Sequence, residues 1–570
     1  MDKIWVKHYE PGVRPHLDYP DAPLFSFLDR SASKYPNRKA LIFGAVAHAL
    51  PGQPLFDGSM TYRELSALVN RMANALASLG VKKGDRVAVY LPNSPQFVIS
   101  YYAVLKLGAY VVPTNPIYVP RELEHQLCDS DAGTLITLSQ FYPRFQQVRA
   151  HTNVKNVIVT NVKEYFPPIL KTLFTLALEK KEGHRVTLDS GDHWFQDLLK
   201  QATETPPQVE VKPEDTAILL YTGGTTGVPK GAELTHRNLV ANAMQVREWF
   251  TNAHEAEETF LTALPLFHSY TMTTCMNMGI YLAGTLILIP NPRDLEHLLK
   301  STDKHHPTVF PAVPTLYVAI NNYPDIGKHN LRSIKACISG AAGLPVEVQT
   351  QFIKLSGGSL VEGYGLSEAS PVTHANPLMG ENRIGTIGLP LPDTDVRLVD
   401  VETGAHDCGV GESGELWVRG PQVMKRYWNK PDETARQLRE GWLRTGDVAV
   451  MDQDGYFKIV DRVKDLIISG GFNVYPREIE DVLYQHPAVL EAAAAGVPDA
   501  YRGESVKAFI VLKPGMQATA DEVIAFCREH LAPFKVPRQV EFRDSLPKTM
   551  IGKILRRELV AQEKQQSKPV

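Results

Sequence analysis

Helically spaced segments alternate with short apolar runs from Thr61 to about Ile338, and that rhythm leaves few folds open. Thr61-Tyr-Arg-Glu64 is a capping box, because hydroxyl and carboxylate can each satisfy a backbone N–H of the first turn. Leu65, Leu68, Met72, Leu76 and Leu79 follow at helical spacing, and Gly80 supplies the stop. The pattern predicts a strand over residues 86–91, a helix over 95–107 and a strand over 109–112. The same alternation recurs around 216–221, 286–289, 308–310 and 336–338. Helices between apolar strands argue for stacked α/β layers around parallel sheets.

From Thr394 the texture changes to strand-like segments with Gly turns, over 396–399, 414–419 and 455–460. A small antiparallel or barrel-like subdomain is expected there. After Asp461-Arg462 come a Pro-started helix (Pro476-Arg-Glu-Ile-Glu480), strands near Ala492 and over 506–512, a helix over 520–531, and a charged helical tail from Ile554. These form a separate α+β domain, so the boundaries are set at 1–461 and 462–570.

Lys plus Arg number 60 and Asp plus Glu 63, a net charge of −3, so no global field recruits nucleic acid or anionic lipid. With 40 Gly and 41 Pro in 570 residues, low-complexity and collagen-like chains are excluded. Five dispersed Cys (128, 275, 337, 408 and 527) without a CxxC argue against a disulfide framework or structural zinc, and fit a reducing cytoplasm. The opening residues 1–10 break their apolar side chains with charges and offer no signal-peptide core. Residues 272–290 carry no charge, but Ala283-Gly284-Thr285 interrupts them, and a buried helix followed by a buried strand is expected. Residues 166–178 place Ile169, Leu170, Leu173, Phe174 and Leu178 on one helical face, flanked by Lys163, Lys171, Lys180 and Lys181. Two readings stay open for this segment: a helix docked on the core, or an interfacial helix on a membrane.

The richest local chemistry is Tyr221-Thr-Gly-Gly-Thr-Thr-Gly-Val-Pro-Lys230, which follows an apolar strand and precedes a helix starting near Asn238. Glycines let backbone N–H groups turn toward an anion, Thr hydroxyls add donors and Lys230 adds charge, which makes a phosphate cradle. A Walker A loop needs Gly-Lys-Ser/Thr, whereas Lys230 here precedes Gly231. Further motifs follow in order: Pro265-Leu-Phe-His268, Ser339-Gly-Ala-Ala342, Glu362-Gly-Tyr-Gly-Leu-Ser-Glu368, Arg444-Thr-Gly-Asp447, Asp461-Arg-Val-Lys-Asp-Leu-Ile-Ile-Ser-Gly-Gly-Phe-Asn-Val-Tyr475 and Pro547-Lys-Thr-Met-Ile-Gly-Lys553. Together they resemble the acyl-adenylate-forming (AMP-binding) superfamily. Tyr19-Pro-Asp-Ala-Pro and the segment 167–195 are similar to bacterial long-chain fatty-acid–CoA ligases in particular.

The resemblance implies a large multi-layered N-terminal domain, two α/β subdomains plus a small distorted β-barrel, and a small mobile α+β C-terminal lid. It implies ATP-dependent activation of a medium- to long-chain fatty acid through acyl-AMP, then thioester formation with coenzyme A. Lys553 is the implied catalytic cation, reaching both the carboxylate and the α-phosphate. Thr222, Gly223, Gly224, Thr225, Thr226, Gly227, Lys230, Ser269, Gly340, Glu362, Gly363, Tyr364, Ser367, Asp447, Arg462 and Lys464 are the implied ATP/AMP-binding set. Within that set, Tyr364 would stack on adenine, Gly340 and Gly363 would allow the purine to approach, and Asp447 would accept the ribose hydroxyls with Arg462 assisting. Thr222 and Glu368 would take Mg²⁺. His268 and Met272 would border the acyl tunnel, although ordinary core packing accounts for both residue types as well. Gly470, Gly471 and Phe472 would back the pantetheine tunnel, and Asp461 would be the hinge. The ATP, fatty acid and coenzyme A would be small-molecule partners, with no nucleic acid. A homodimer, a cytoplasmic location and a peripheral contact with the inner face of the cell membrane are the further expectations. An aryl or 4-coumarate-type CoA ligase, an acyl-AMP ligase, and a non-catalytic lipid-uptake or membrane-binding protein are the competing functions. The joint presence of Thr222, Glu368, Asp447 and Lys553 argues against the last.

Overall fold

The computed structural model describes residues 3–46, 52–222, 229–463, 465–469, 472–499, 503–548 and 554–566. The candidate residues Gly223, Gly224, Thr225, Thr226, Gly227, Lys464, Gly470, Gly471 and Lys553 lie outside them. The capping box forms as expected: Thr61 N donates to Glu64 Oε2 at 2.7 Å and Glu64 N to Thr61 Oγ1 at 3.3 Å, starting the helix Tyr62–Ser78. Gly80 follows at φ +87°, a conformation that a side chain would oppose.

Two large sheets build the N-terminal body. The first runs, in spatial order, Arg426–Tyr427, Lys230–Thr235, Thr216–Thr222, Tyr110–Pro113, Arg86–Tyr90, Thr134–Leu138, Asn156–Thr160 and His193–Trp194. Its pairing is parallel from Thr216–Thr222 onward and antiparallel across Lys230–Thr235. The second runs Leu55–Thr61, Lys39–Val46, Thr285–Leu288 and Thr259–Thr262. Bridges through Val309 and Ala312 carry it on to Ala336–Ser339, Ser359–Gly365, Val372–Ala375 and Leu389–Pro390. The helix Pro95–Lys106 is buried at all 12 positions, in a cluster that draws on both sheets through Val87, Ile218, Leu41 and Leu286. Each of its large side chains contributes about 1.5–3 kcal/mol by leaving water. Its one cation, Lys106, is paired with Asp29 at 2.5 Å and Asn70 at 2.9 Å.

Two expectations change here. Residues 308–310 form isolated bridges at Val309 rather than a strand, because Pro307 and Pro311 flank them and neither can donate a ladder hydrogen bond. The Gly/Thr-rich loop connects two antiparallel strands, Thr216–Thr222 and Lys230–Thr235, and not a strand and a helix. The helix His236–Trp249 begins only after Thr235 and Asn238 cap it reciprocally. The uncharged stretch 272–290 behaves as expected: buried helical turns over Ser269–Tyr281 and the buried strand Thr285–Leu288.

Antiparallel pairing of Asp395–Val399, Ser413–Arg419, Trp442–Met451, Leu438–Arg439 and Phe457–Arg462 makes the small β-rich subdomain. The C-terminal domain is a five-stranded sheet of Phe472–Val474, Ile467–Ser469, Gly503–Leu512, Val489–Asp499 and Gln539–Phe542, with helices Pro476–Leu483, Ala520–His530 and Arg556–Gln566. Its apolar clusters begin at Ile467, whereas those of the body end at Ile459.

The helix Pro168–Ala177 is docked on the core along one stripe and leaves a second stripe exposed. Leu170 and Phe174 are buried, and Phe166 joins Phe174 edge-on and stacks on Phe43. Ile169 and Leu176, seven residues apart and so on a second stripe, are 63% and 82% exposed. Lys163 is paired with Glu179 and Lys171 with Glu164, whereas Lys180 and Lys181 are exposed and have no ion pair among the described residues.

Candidate active site

Sheet register brings the motifs together. Thr222 faces Lys230 across the hairpin that carries the Gly/Thr-rich loop. The strand Arg426–Tyr427 pairs with Lys230–Thr235 on its other side, with Tyr427 opposite Ala232. The Lys230 ammonium lies 5.4 Å from the centre of the Tyr427 ring and is ion-paired with Glu433. The turn Ser367–Ala369 packs on the same strand. Here Tyr427 Oη donates to Glu368 Oε1 at 2.7 Å, and Met424 N donates to the Glu368 carbonyl at 2.7 Å. The Lys230 cation, the Tyr427 phenol and the Glu368 carboxylate, from three separate stretches of the chain, therefore share one neighbourhood. A hydroxyl and a carboxylate are hard-oxygen donors, the type that suits Mg²⁺ with phosphate and water completing the shell. Thr222 and Glu368 fit that role by chemistry.

A second group surrounds Asp447, which is 6% exposed. Tyr364 Oη donates to Asp447 Oδ2 at 2.5 Å, and Arg462 Nε lies 3.0 Å from Oδ1. Asp447 and Arg462 are cross-strand partners, so the sheet itself sets their pairing. Burial first, and then the Asp447 charge, push the Tyr364 phenol well above its ordinary range, so it remains a donor. Ser269 and Ser367 meet hydroxyl to hydroxyl at 3.2 Å. A Cβ at Gly363 would come 2.7 Å from Ile338 Cγ2, and one at Gly340 would lie 3.3 Å from the Tyr270 ring. Packing between strands thus already favours a small residue at Gly363, whereas at Gly340 the Tyr270 ring would have to give by a few tenths of an ångström.

His268 accepts from Tyr270 N at 3.3 Å through Nδ1, and burial pushes its imidazole down to about 4, so it is neutral at pH 7. Met272 is fully buried and opens a π-helical turn, Met272–Asn277, with Met276 and Met278 equally buried. These three side chains belong to the body's main apolar cluster.

Glu362 and Asp461 face the C-terminal domain. Burial raises the Glu362 carboxyl to about 7, against the opposing Arg477 guanidinium 3.9 Å away and the Leu344 N–H. Burial likewise raises Asp461 to about 6, although it accepts from Arg462 N at 2.7 Å and Arg477 N at 2.9 Å. Arg477 opens the helix Pro476–Leu483, so one residue links the body's buried carboxylates to the C-terminal domain. Arg556, three positions beyond Lys553, binds Glu480 at 2.8 Å and Asp465 at 3.0 Å. Sequence reasoning missed Tyr427, Glu433, Arg477 and Arg556, whose partners lie tens to hundreds of residues away. Phe472 begins the strand Phe472–Val474.

Comparison with known proteins agrees with this arrangement. The sequence model of the AMP-binding enzyme family matches residues 28–428, and that of the AMP-binding enzyme C-terminal domain matches 478–553. A long-chain-fatty-acid–CoA ligase of Bacillus subtilis is 46% identical over 563 residues, covering 98% of each chain. Its counterpart in Salmonella typhimurium is 41% identical over 569 residues, again 98% of each. The crystal structure of the anthranilate CoA ligase AuaEII in complex with anthranoyl-AMP superposes with a TM-score of 0.83 at 28% identity, covering 97% of this chain and 99% of that one. With a family match over most of its length and close full-length relatives, the chain belongs to the AMP-binding enzyme family.

Proposed function

We propose that the chain is an AMP-forming acid–CoA ligase acting on medium- to long-chain fatty acids. The observation that carries the substrate class is the 46% identity, over 98% of both chains, to a long-chain-fatty-acid–CoA ligase. The aryl relative seen by structure stands at 28%. In the first half-reaction a fatty carboxylate attacks the α-phosphate of ATP, giving acyl-AMP and pyrophosphate. In the second, the coenzyme A thiol displaces AMP. Two anions meet in the first step, so fixed cations dominate its barrier. Lys230 meets the phosphates after leaving Glu433, and Lys553 and Lys464 add charge from the C-terminal side. Asp447 accepts the ribose hydroxyls, with Arg462 holding its second oxygen. The Tyr364 phenol, anchored on Asp447, fixes a ring whose face can take the adenine. Glu362, Ser367, Ser269, Gly340 and Gly363 line the purine side. Mg²⁺, held through Thr222 and Glu368, would neutralise phosphate charge when bound. Neutral His268 and the deformable Met272 border the alkyl chain. Asp461 is the hinge between residues 1–461 and 462–570, and Gly470, Gly471 and Phe472 back the thiol's path after rotation.

Pyrophosphate release over a panel of carboxylic acids, with and without coenzyme A, tests the reading. Turnover should require a C8–C18 acid, and dependence on an aryl acid alone would replace the substrate class. Among the described residues no helix is long and apolar enough to cross a membrane. The exposed Ile169 and Leu176 beside Lys180 and Lys181 support a peripheral contact with anionic lipid on the cytoplasmic face. Flotation with anionic liposomes should be lost in Ile169→Ser/Leu176→Ser, and unchanged flotation would dismiss it.

A further inference from the structure

Glu368 is a flexible side chain on a short turn, yet a cation site needs its carboxylate held in one rotamer. The structure supplies that restraint from a residue outside every motif noted in the sequence. Tyr427, 5% exposed, donates its Oη hydrogen to Glu368 Oε1 at 2.7 Å, and among the described residues no hydrogen bond holds the carboxylate's other oxygen. The Tyr427 backbone is itself fixed twice, by pairing with Ala232 and by the N–H donated to Thr434 Oγ1 at 3.0 Å. The same ring lies 5.4 Å from the Lys230 ammonium.

We propose that Tyr427 is a positioning residue: its phenol sets the Glu368 carboxylate for a divalent cation delivered with the nucleotide, and couples that carboxylate to the Lys230 strand. The proposal rests on the reading of Glu368 as a cation-binding residue, and the test separates the two. Mn²⁺ is the probe, with a non-hydrolysable ATP analogue, and water-proton relaxation reads its binding without turnover. Tyr427→Phe keeps the ring and its packing but removes the hydroxyl. It should weaken Mn²⁺ in the ternary complex roughly three- to tenfold, the scale of one ordinary hydrogen bond, because the cation feels the loss only through the carboxylate. Binding of AMP without metal should be unchanged. In a Glu368→Gln background, adding Tyr427→Phe should cost nothing further, since the carboxylate through which it acts is gone. If Glu368→Gln weakens Mn²⁺ binding but Tyr427→Phe does not, the proposal falls and the Glu368 reading stands. An equal loss from Tyr427→Phe in both backgrounds would show a merely structural role and also overturn it. If Glu368→Gln itself leaves Mn²⁺ binding intact, the underlying reading of Glu368 fails first.

Discussion

The N-terminal body and the C-terminal domain are stabilised internally in the same way and joined to each other in a different one. Inside the body, a helix buried along its whole length locks two sheets through apolar side chains. The C-terminal domain has its own apolar clusters, built from residues between Ile467 and Leu559. Among the described residues no apolar cluster includes side chains from both. Polar contacts cross the junction, Arg477 against Glu362 and Asp461, while Arg556 binds Glu480 and Asp465 within the C-terminal domain. Apolar burial resists sliding, whereas hydrogen bonds and ion pairs can be exchanged for water at small net cost. The proposed rotation about Asp461 would need that kind of junction.

The contrast can be broken by substitution. Phe97→Ala, in the buried helix, should destabilise the body by about 3–5 kcal/mol. Calorimetry should show a lowered main transition, and a loss below about 1 kcal/mol would mean that the helix is not the keystone of the body. A smaller effect attends Glu362. Its carboxyl titrates at about 7 in the folded chain against an ordinary 4.5, so the folded state holds the proton more tightly. Its contribution is full below pH 4.5 and is lost as pH rises through about 7, with a slope of at most roughly 1.4 kcal/mol per pH unit. Glu362→Gln should flatten the melting temperature over that window, and an unaltered slope would assign the titration elsewhere. Smallest of all, Arg477→Gln should cost under about 1 kcal/mol, because its guanidinium is partly solvated and contacts Glu362 only at 3.9 Å. A loss as large as that of Phe97→Ala would contradict a polar, exchangeable junction.

The sequence discloses the body's layers because periodicity and capping are local: the Thr61/Glu64 box and the Pro95–Lys106 helix form where the pattern places them. It hides the strand Lys230–Thr235, whose Glu233 is 1% exposed yet satisfied by Arg426, Lys425 and Thr216, partners beyond any local window. The same limit applies at the site. The resemblance of its motifs points to Asp447, Tyr364 and Glu368, but only the folded structure reveals that Tyr364 and Arg462 meet on Asp447. Tyr427 carries no motif of its own and is found only through its contact.

In the proposed mechanism the body binds the nucleotide, and a cation from the C-terminal domain drives only the first step. The most direct measurement is the pair of half-reactions in Lys553→Ala: pyrophosphate release from fatty acid and ATP, and thioester formation from supplied acyl-AMP and coenzyme A. Adenylation should fall by roughly a hundredfold or more, the scale of losing one fixed transition-state charge, while thioester formation should stay near wild type. Equal losses in both half-reactions, or none in the first, would contradict it.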